Sequence, residues 1–157
     1  KPLNPFFLVT KRLPFEPNDE LVQTISREVQ GGKICYLHRP TGDVNFLPDD
    51  DEFFDNLPSE WSEFLDFVEA NEDDFAIVEP MDEFDHHQVM TDFMVDVTLP
   101  VYFTDLLYDA LQGKQPRSAF TQEVNNSPYR KQWTDYHQQR YEEYVRTGLV
   151  DYDWEEE

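Results

Sequence analysis

The sequence has little cysteine, little glycine and no long apolar run. Its single cysteine, Cys35, has no partner within the chain, so we expect no internal disulfide and no oxidising compartment. Its five glycines form neither a phosphate-binding loop nor a nucleophile elbow. No apolar run reaches the length of a membrane span, and no secretory leader is visible. We therefore expect no catalytic residue, no cofactor and a cytoplasmic location.

Positive charge is also scarce. Twelve Lys and Arg residues stand against 34 Asp and Glu residues, which gives a net charge of −22. Between Thr41 and Gly113 there is no Lys or Arg, whereas 21 acidic residues fall in this stretch. A surface of this kind repels nucleic acid and anionic lipid. We therefore expect neither direct nucleic-acid binding nor membrane binding, and the charge favours a cationic protein partner instead.

What the chain does have is enough aromatic residues to fill a core. Phe, Tyr and Trp make up 15% of its 157 residues, which argues against disorder despite the high charge. The length predicts a single domain over residues 1–157. Four prolines predict an extended arm over residues 1–17, and the acidic tail over residues 151–157 is predicted to fray.

The first half of the chain predicts a helix, a hairpin and a second helix. Asn18 and Asp19 can begin a helix that ends at Gly31-Gly32, because its apolar residues recur at helical spacing. The β-prone runs Lys33–His38 and Val44–Leu47 flank Pro40-Thr41-Gly42-Asp43, which predicts a hairpin turn. A helix from Ser59 and a short strand at Phe75–Val78 follow.

The second half predicts four helices. They run from Asp82 to about Val95, from Pro100 to Gly113, around Ser118–Val124, and from Pro128 to Arg146 with an end at Gly148. The predicted fold class is therefore α+β, a three-stranded antiparallel sheet (hairpin plus one strand) covered by about six helices. Residues predicted to be buried are Phe64, Leu65, Phe93, Leu106, Leu107, Phe120 and Trp133.

The strongest metal-ligand candidates lie at the start of one predicted helix. Asp82 with His86, and Glu83 with His87, are four residues apart and share a helix face. A zinc site needs three or four protein ligands, and the sequence indicates no others. The pattern is more typical of an acidic helix start, which the helix dipole favours, than of a metal site.

Two acidic clusters are the predicted partner-binding residues. They comprise Asp49, Asp50, Asp51 and Glu52, which are expected to form a loop, and Glu72, Asp73 and Asp74. Asp49 to Glu60 also has acidic residues at calcium-loop spacing. However, Phe54 stands where such a loop requires Gly, so we interpret the segment as a solvated acidic loop.

Several motifs resemble a known bacterial group of small acidic proteins. Tyr36-Leu37 followed by Thr41-Gly42-Asp43-Val44 is similar to its hairpin. Its Leu-Leu-x-Ala-Ile-x-Gly-x-Gly-Ala-Phe signature, in which Gly ends one helix and Ala-Phe starts the next, is similar to Leu106-Leu107, Ala110-Leu111, Gly113-Lys114 and Ala119-Phe120. Phe84, Met90 and Phe93 resemble one of its helices, and Trp133 and Tyr141 resemble its final helix. The group is uncharacterised protein family zero-one-five-eight. The resemblance implies a fold and a cytoplasmic location, and it supplies no activity.

The chain departs from this family pattern at one turn. Gln115-Pro116-Arg117 lengthens the turn, and Ser118 stands where the family has Gly. The basic continuation of the family signature is replaced by Thr121-Gln122-Glu123-Val124, which carries no positive charge.

Three functional hypotheses remain. The first is a non-catalytic interaction or regulatory protein that uses its acidic surface to bind a cationic partner, in one version as a mimic of nucleic acid. The second is a metal-dependent, hydrolase-like enzyme that uses the cluster from Asp82 to His87. In the third, the acidity is an adaptation to a salt-rich cytoplasm and needs no partner.

Overall fold

The computed structural model describes residues 16–150, in which seven α-helices accompany a three-stranded antiparallel sheet. The predicted α+β fold is confirmed. The described residues contain no helix that is both long and apolar enough to cross a membrane. The elements are α1 (Asp19–Gln30), β1 (Lys33–His38), β2 (Asp43–Pro48), α2 (Asp51–Asp55), α3 (Ser59–Ala70), a 3-10 turn (Glu72–Asp74), β3 (Phe75–Val78), α4 (Glu83–Asp96), α5 (Val101–Leu111), α6 (Pro116–Asn125) and α7 (Arg130–Val150).

The described residues fall into two compact units. The first is built from the residues before Met81 together with those after Tyr141, and the second is Met81–Tyr141. The predicted tail, and the predicted arm up to residue 15, lie outside the described residues.

In the first unit, β1 is the central strand of the sheet. It pairs antiparallel with β2, from Lys33 opposite Pro48 to His38 opposite Asp43, and the predicted hairpin is confirmed. Gly42 in the turn has a φ of 80°, a conformation that glycine adopts without strain. On its other side β1 pairs antiparallel with β3, so the strand order is β2-β1-β3.

The two faces of β1 carry two sets of buried side chains, because successive residues of a strand point to opposite sides. Ile34 and Tyr36 pack in a cluster with Val68 of α3. Cys35 and Leu37 point to the opposite face and are fully buried. Burial raises the pKa of the Cys35 thiol to about 12, so this cysteine is a small core residue rather than a nucleophile.

Helix α1 begins and ends as its sequence predicts. The Asn18 side chain accepts a hydrogen bond of 2.7 Å from the Leu21 N–H, which satisfies one of the free amides at the helix start. Val22, Ile25 and Val29 form its buried face. Gly32, with a φ of 98°, follows the end of the helix and leads into β1.

The last turns of α7 complete the first unit. Arg39 donates a 2.8 Å hydrogen bond to the carbonyl of Leu149, and the Tyr144 hydroxyl donates one of 2.6 Å to the carbonyl of Glu79. The prediction that Gly148 ends this helix is wrong, because α7 continues to Val150. A Cβ at Gly148 would lie 3.2 Å from a methyl group of Val78, so glycine permits close approach to β3.

The second unit consists of α4, α5, α6 and the first turns of α7. Its core centres on Phe93, Phe120 and Trp133, whose rings meet at centroid distances between 5.0 and 6.4 Å. Leu107 of α5 is also fully buried in this unit. The predicted burial of Leu106 is wrong, because this side chain is 42% exposed. Its position 100° away from Leu107 on the helix places it toward solvent.

Phe64 and Leu65 of α3 are half-buried rather than buried. They pack against the cluster that contains Ile34 and Tyr36, together with Trp61 on the same helix. The predicted helix face is therefore the inner one, but it lies at the edge of the core.

Candidate functional site

The acidic residues Asp49–Glu52 lie directly after the edge strand β2. The Asp49 N–H donates a 2.8 Å hydrogen bond to the carbonyl of Gly32, which holds this residue at the end of the sheet. Asp50 has an extended backbone, and Asp51 begins α2. The prediction of a loop is therefore wrong for Asp51 and Glu52, which occupy the first turn of a short helix. Carboxylates are favoured there because the helix start carries a partial positive charge.

All four of these side chains are exposed. Among the described residues, none of the carboxylates of Asp49, Asp50, Asp51 and Glu52 forms an ion pair or accepts a hydrogen bond. The charge of Asp49 acts on the sheet: burial, followed by the negative charges of Glu79 and Asp49, raises the pKa of Tyr36. This stretch is therefore a concentrated source of negative charge on the surface of the first unit.

The second acidic cluster forms the 3-10 turn that leads into β3. The Asp74 N–H donates to the carbonyl of Asn71 at 2.8 Å, and the Asp74 carbonyl accepts from the Arg39 N–H at 2.9 Å. Glu72 and Asp73 are exposed, and Asp74 is half-buried.

The structure does not bring the two clusters together. Asp49–Glu52 follows Pro48, which lies opposite Lys33 at the start of β1. Glu72–Asp74 precedes Phe75, which lies opposite His38 at the end of β1. The clusters thus occupy opposite ends of the sheet, about 17 Å apart along β1 at the usual rise of about 3.3 Å per residue. A ligand that contacts both must span the length of this strand.

The four metal-ligand candidates do not come together as a site among the described residues. Asp82 caps α4 by accepting a 2.8 Å hydrogen bond from the Asp85 N–H, and Glu83 forms a 3.3 Å ion pair with Arg117. His86 is buried, whereas His87 is exposed. Within residues 16–150, no three His, Cys, Asp or Glu side chains come close enough to hold a metal ion.

His86 instead stacks on a histidine of α7. The rings of His86 and His137 lie 6.1 Å apart between centroids and only 9° from parallel. Tyr141 contacts both rings, and its hydroxyl accepts a 2.8 Å hydrogen bond from the Met81 N–H. Trp133 packs on the other side, 5.2 Å from His137 between centroids.

Both imidazoles resist protonation. Burial lowers the pKa of His137 to about 4, and the charges that His86 and Arg117 can carry lower it further. Burial and the positive charge of Arg117 lower the pKa of His86 as well. The negative charges of Glu83, Asp85 and Asp82 act to raise this pKa, but the net shift is downward. The pair is therefore neutral at pH 7 and forms part of an aromatic cluster.

A family model matches residues 18–155 of this chain, which is most of its length. The chain belongs to Uncharacterised protein family (UPF0158). No curated protein and no solved structure matches it. The expected family is confirmed, and membership of UPF0158 carries no biochemical activity with it.

The segment at which this UPF0158 chain departs from its family pattern lines a groove of about 810 Å³ in the second unit. Gln115, which precedes α6, and Pro116, Arg117 and Ser118 in its first turn line the groove together with Glu83 and Lys114. The groove therefore carries two cationic side chains in a strongly acidic protein. Arg117 forms an exposed ion pair of 3.3 Å with Glu83, which also lines the groove. The expected longer turn is wrong, because α6 begins at Pro116.

The histidine pair was missed by reasoning from the sequence. His137 falls four residues after Trp133 and four before Tyr141, so it belongs to the same aromatic helix stripe. That spacing places His137 on the buried side of α7. It does not identify His86 as the neighbour, because the two residues lie on helices that are far apart in sequence.

Proposed function

We propose that this UPF0158 chain is a non-catalytic cytoplasmic interaction protein that binds a cationic protein partner through its acidic surface. The observation that carries the proposal is the exposed run Asp49–Glu52, four consecutive carboxylates without an ion pair among the described residues. It lies within the stretch from Thr41 to Gly113, which has no Lys or Arg.

The physical reason is that the backbone of these residues is already ordered, at Asp49 by its hydrogen bond to Gly32 and from Asp51 by α2, while their carboxylates have no partner to give up. A partner that brings Lys or Arg side chains to them need not order the backbone of this segment, and only side-chain rotamers remain to be fixed. Complementary charge also accelerates the encounter and makes it sensitive to salt. A mimic of nucleic acid is one form of this function, because the basic groove of a nucleic-acid-binding protein would recognise the same charge.

Capture of partners from a native lysate at low and high salt tests the proposal. The bait variant is neutralised at the cluster by Asp49→Asn, Asp50→Asn, Asp51→Asn and Glu52→Gln. The matched control loses the same number of exposed charges on α3, by Glu60→Gln, Glu63→Gln, Asp66→Asn and Glu69→Gln.

At low salt, we expect the unchanged chain and the control to capture basic proteins and the cluster variant not to capture them. At high salt, we expect the unchanged chain and the control to lose them as well. Equal capture by the cluster variant and the unchanged chain would contradict a role for Asp49–Glu52. If no basic protein is retained at low salt, the acidity is better explained as adaptation to a salt-rich cytoplasm. Competition with duplex DNA or RNA tests the nucleic-acid mimic. If this protein mimics nucleic acid, the added DNA or RNA should release the captured basic protein from the bait, because both bind the same basic groove.

A further inference from the structure

Helix α5 in the second unit exposes an unusually apolar outer face. Its buried side is formed by Phe103, Leu107 and Leu111. On its outer side, four large side chains are exposed to the following extents: Val101 76%, Tyr102 67%, Leu106 42% and Tyr108 58%. We call this set the α5 face. A single exposed apolar residue is ordinary, whereas four on two helical turns form a patch of the kind that marks interaction sites.

Two carboxylates lie within this patch. Successive residues of a helix are 100° apart, so the order of side chains around this face can be read from the sequence. Asp105 and Asp109 lie in the middle of the face. They are flanked on one side by Tyr108 and Val101 and on the other side by Tyr102 and Leu106. Both are exposed, and neither forms an ion pair or a side-chain hydrogen bond among the described residues. The α5 face is thus apolar with a negatively charged centre.

This combination argues against three classes of occupant. A second copy of the chain would bring Asp105 and Asp109 against the same carboxylates in a symmetric pair, and each copy has a net charge of −22. An anionic lipid surface and a nucleic acid would both be repelled by the two carboxylates. What remains is a polypeptide that supplies apolar side chains and positive charge together.

We propose that the α5 face binds an amphipathic, cationic helix of a partner protein. A helix is the matching shape, because ridges on one helix fit into the grooves of another and the face extends over two turns. Apolar residues of the partner would cover Val101 and Leu106. Its Lys or Arg side chains would meet Asp105 and Asp109, and would lie over the rings of Tyr102 and Tyr108. The inference rests on the proposed function and assigns the cationic partner a second contact surface.

The probe is a synthetic amphipathic helix with Leu and Trp on one face and Lys along both of its rims, labelled with a fluorophore. A matched peptide with every Lys replaced by Gln removes the charge alone. Binding is measured by fluorescence anisotropy at low and high salt.

Two variants test the α5 face: Tyr102→Ala with Leu106→Ala removes apolar contact, and Asp105→Asn with Asp109→Asn removes charge. All four positions are exposed, so the helix should remain folded, which circular dichroism checks. Ile77→Ala, at an exposed apolar position in the first unit, is the matched control.

We expect the Lys peptide to bind the unchanged chain and the Ile77→Ala control alike. Each α5 variant should weaken binding about tenfold, as truncation of an interface anchor commonly does. The Gln peptide should bind about tenfold more weakly to the unchanged chain, and high salt should weaken the Lys peptide.

Three results would overturn the inference. The first is equal binding of the Lys peptide to the α5 variants and the unchanged chain, or no binding to any of them. The second is equal binding of the Gln peptide. The third is a dimer of the unchanged chain that Tyr102→Ala with Leu106→Ala dissociates in sedimentation experiments.

The variant neutralised at Asp49–Glu52 separates this inference from the proposed function. If only that variant loses the Lys peptide, the α5 face is not the site, and the proposed function stands. If only the α5 variants lose it, the α5 face is the peptide's site, and the role proposed for Asp49–Glu52 is decided separately by the capture of basic proteins from the lysate.

Discussion

The imidazole rings of His86 and His137 lie 9° from parallel inside the second unit. Both are neutral in the folded state because burial lowers the pKa of each, that of His137 to about 4. An unfolded histidine has a pKa of about 6.5, so the unfolded chain binds more protons below that value. The stability contributed by the neutral pair is therefore present above about pH 6.5 and is lost as the pH falls.

We accordingly expect the melting temperature to fall when the pH is lowered from about 7.5 to about 5.5. Each kcal/mol lost lowers it by roughly 2–4 °C in a chain of this size. His137→Phe keeps an aromatic ring on Trp133 and should reduce this pH dependence. An unchanged dependence in the variant would show that the pair does not control acid stability. Repulsion between the acidic side chains acts in the opposite direction, so the comparison of the two proteins is the informative measurement.

The charge of the Asp49–Glu52 cluster should destabilise the folded chain. Asp49→Asn removes one of four neighbouring charges. At low salt it is expected to raise the free energy of unfolding by a few tenths of a kcal/mol, and the melting temperature should rise accordingly. The gain should disappear at high sodium chloride, where the Debye length shortens to about 3 Å at 1 M. A gain that is independent of salt would point to a change in local hydrogen bonding instead of charge.

Leu107 and Leu106 are neighbours on α5 with opposite environments. Leu107→Ala should lower the free energy of unfolding by about 2–5 kcal/mol, because the side chain is fully buried. Leu106→Ala is the matched control and should cost less than about 0.5 kcal/mol. Denaturant titration measures both, and similar losses in the two variants would mean that the buried side of α5 is assigned incorrectly.

Asp82 is held in a reciprocal capping arrangement with Asp85 at the start of α4. Asp82→Ala should therefore cost about 0.5–2 kcal/mol of stability, whereas Glu83→Gln removes only an exposed ion pair and should cost less than about 1 kcal/mol. Thermal unfolding with and without added zinc extends the test. Stabilisation by zinc that is abolished by Asp82→Ala would favour the metal-dependent enzyme over the helix cap.

Gly148 and Val78 are expected to show coupled effects on stability. Alanine favours a helix by about 1 kcal/mol over glycine, but its Cβ at position 148 would lie 3.2 Å from the Val78 side chain. In the Val78→Ala background this contact is relieved, and Gly148→Ala should then stabilise by about 0.5–1 kcal/mol. In the unchanged background the gain should be smaller or reversed. A double-mutant cycle measures the difference, and additive effects would show that the two residues do not touch.

Much of the fold was predictable because the spacing of apolar residues along the sequence indicates which side of a helix or strand faces the core. The spacing of Val22, Ile25 and Val29 identified the inner face of α1, and the turn chemistry at Gly42 identified the hairpin. Leu106 shows the limit of such patterns. A stripe of apolar residues wider than the buried face of a helix does not reveal which of its edges is exposed.

The candidate site was less predictable because it depends on contacts between distant segments. The acidic clusters are plain in the sequence, but their separation depends on β3 pairing with β1 at the His38 end. The stack of His86 on His137 likewise depends on how α4 and α7 pack. Neither relationship leaves a local pattern, whereas the Asp82 cap lies within one helix start and agrees with the acidic helix start predicted there.

The distance between the two acidic ends of the sheet has a consequence for how tightly a partner is retained. A ligand with one basic patch can occupy only one end at a time, and it leaves at the rate of a single weak contact. A ligand with two basic patches joined by a linker that spans about 17 Å would hold its second patch at a high effective concentration once the first has bound. The length of the strand from Lys33 to His38 would then fix the distance between the two acidic clusters. Partners would be selected by the spacing of their basic patches as well as by the number of their charges.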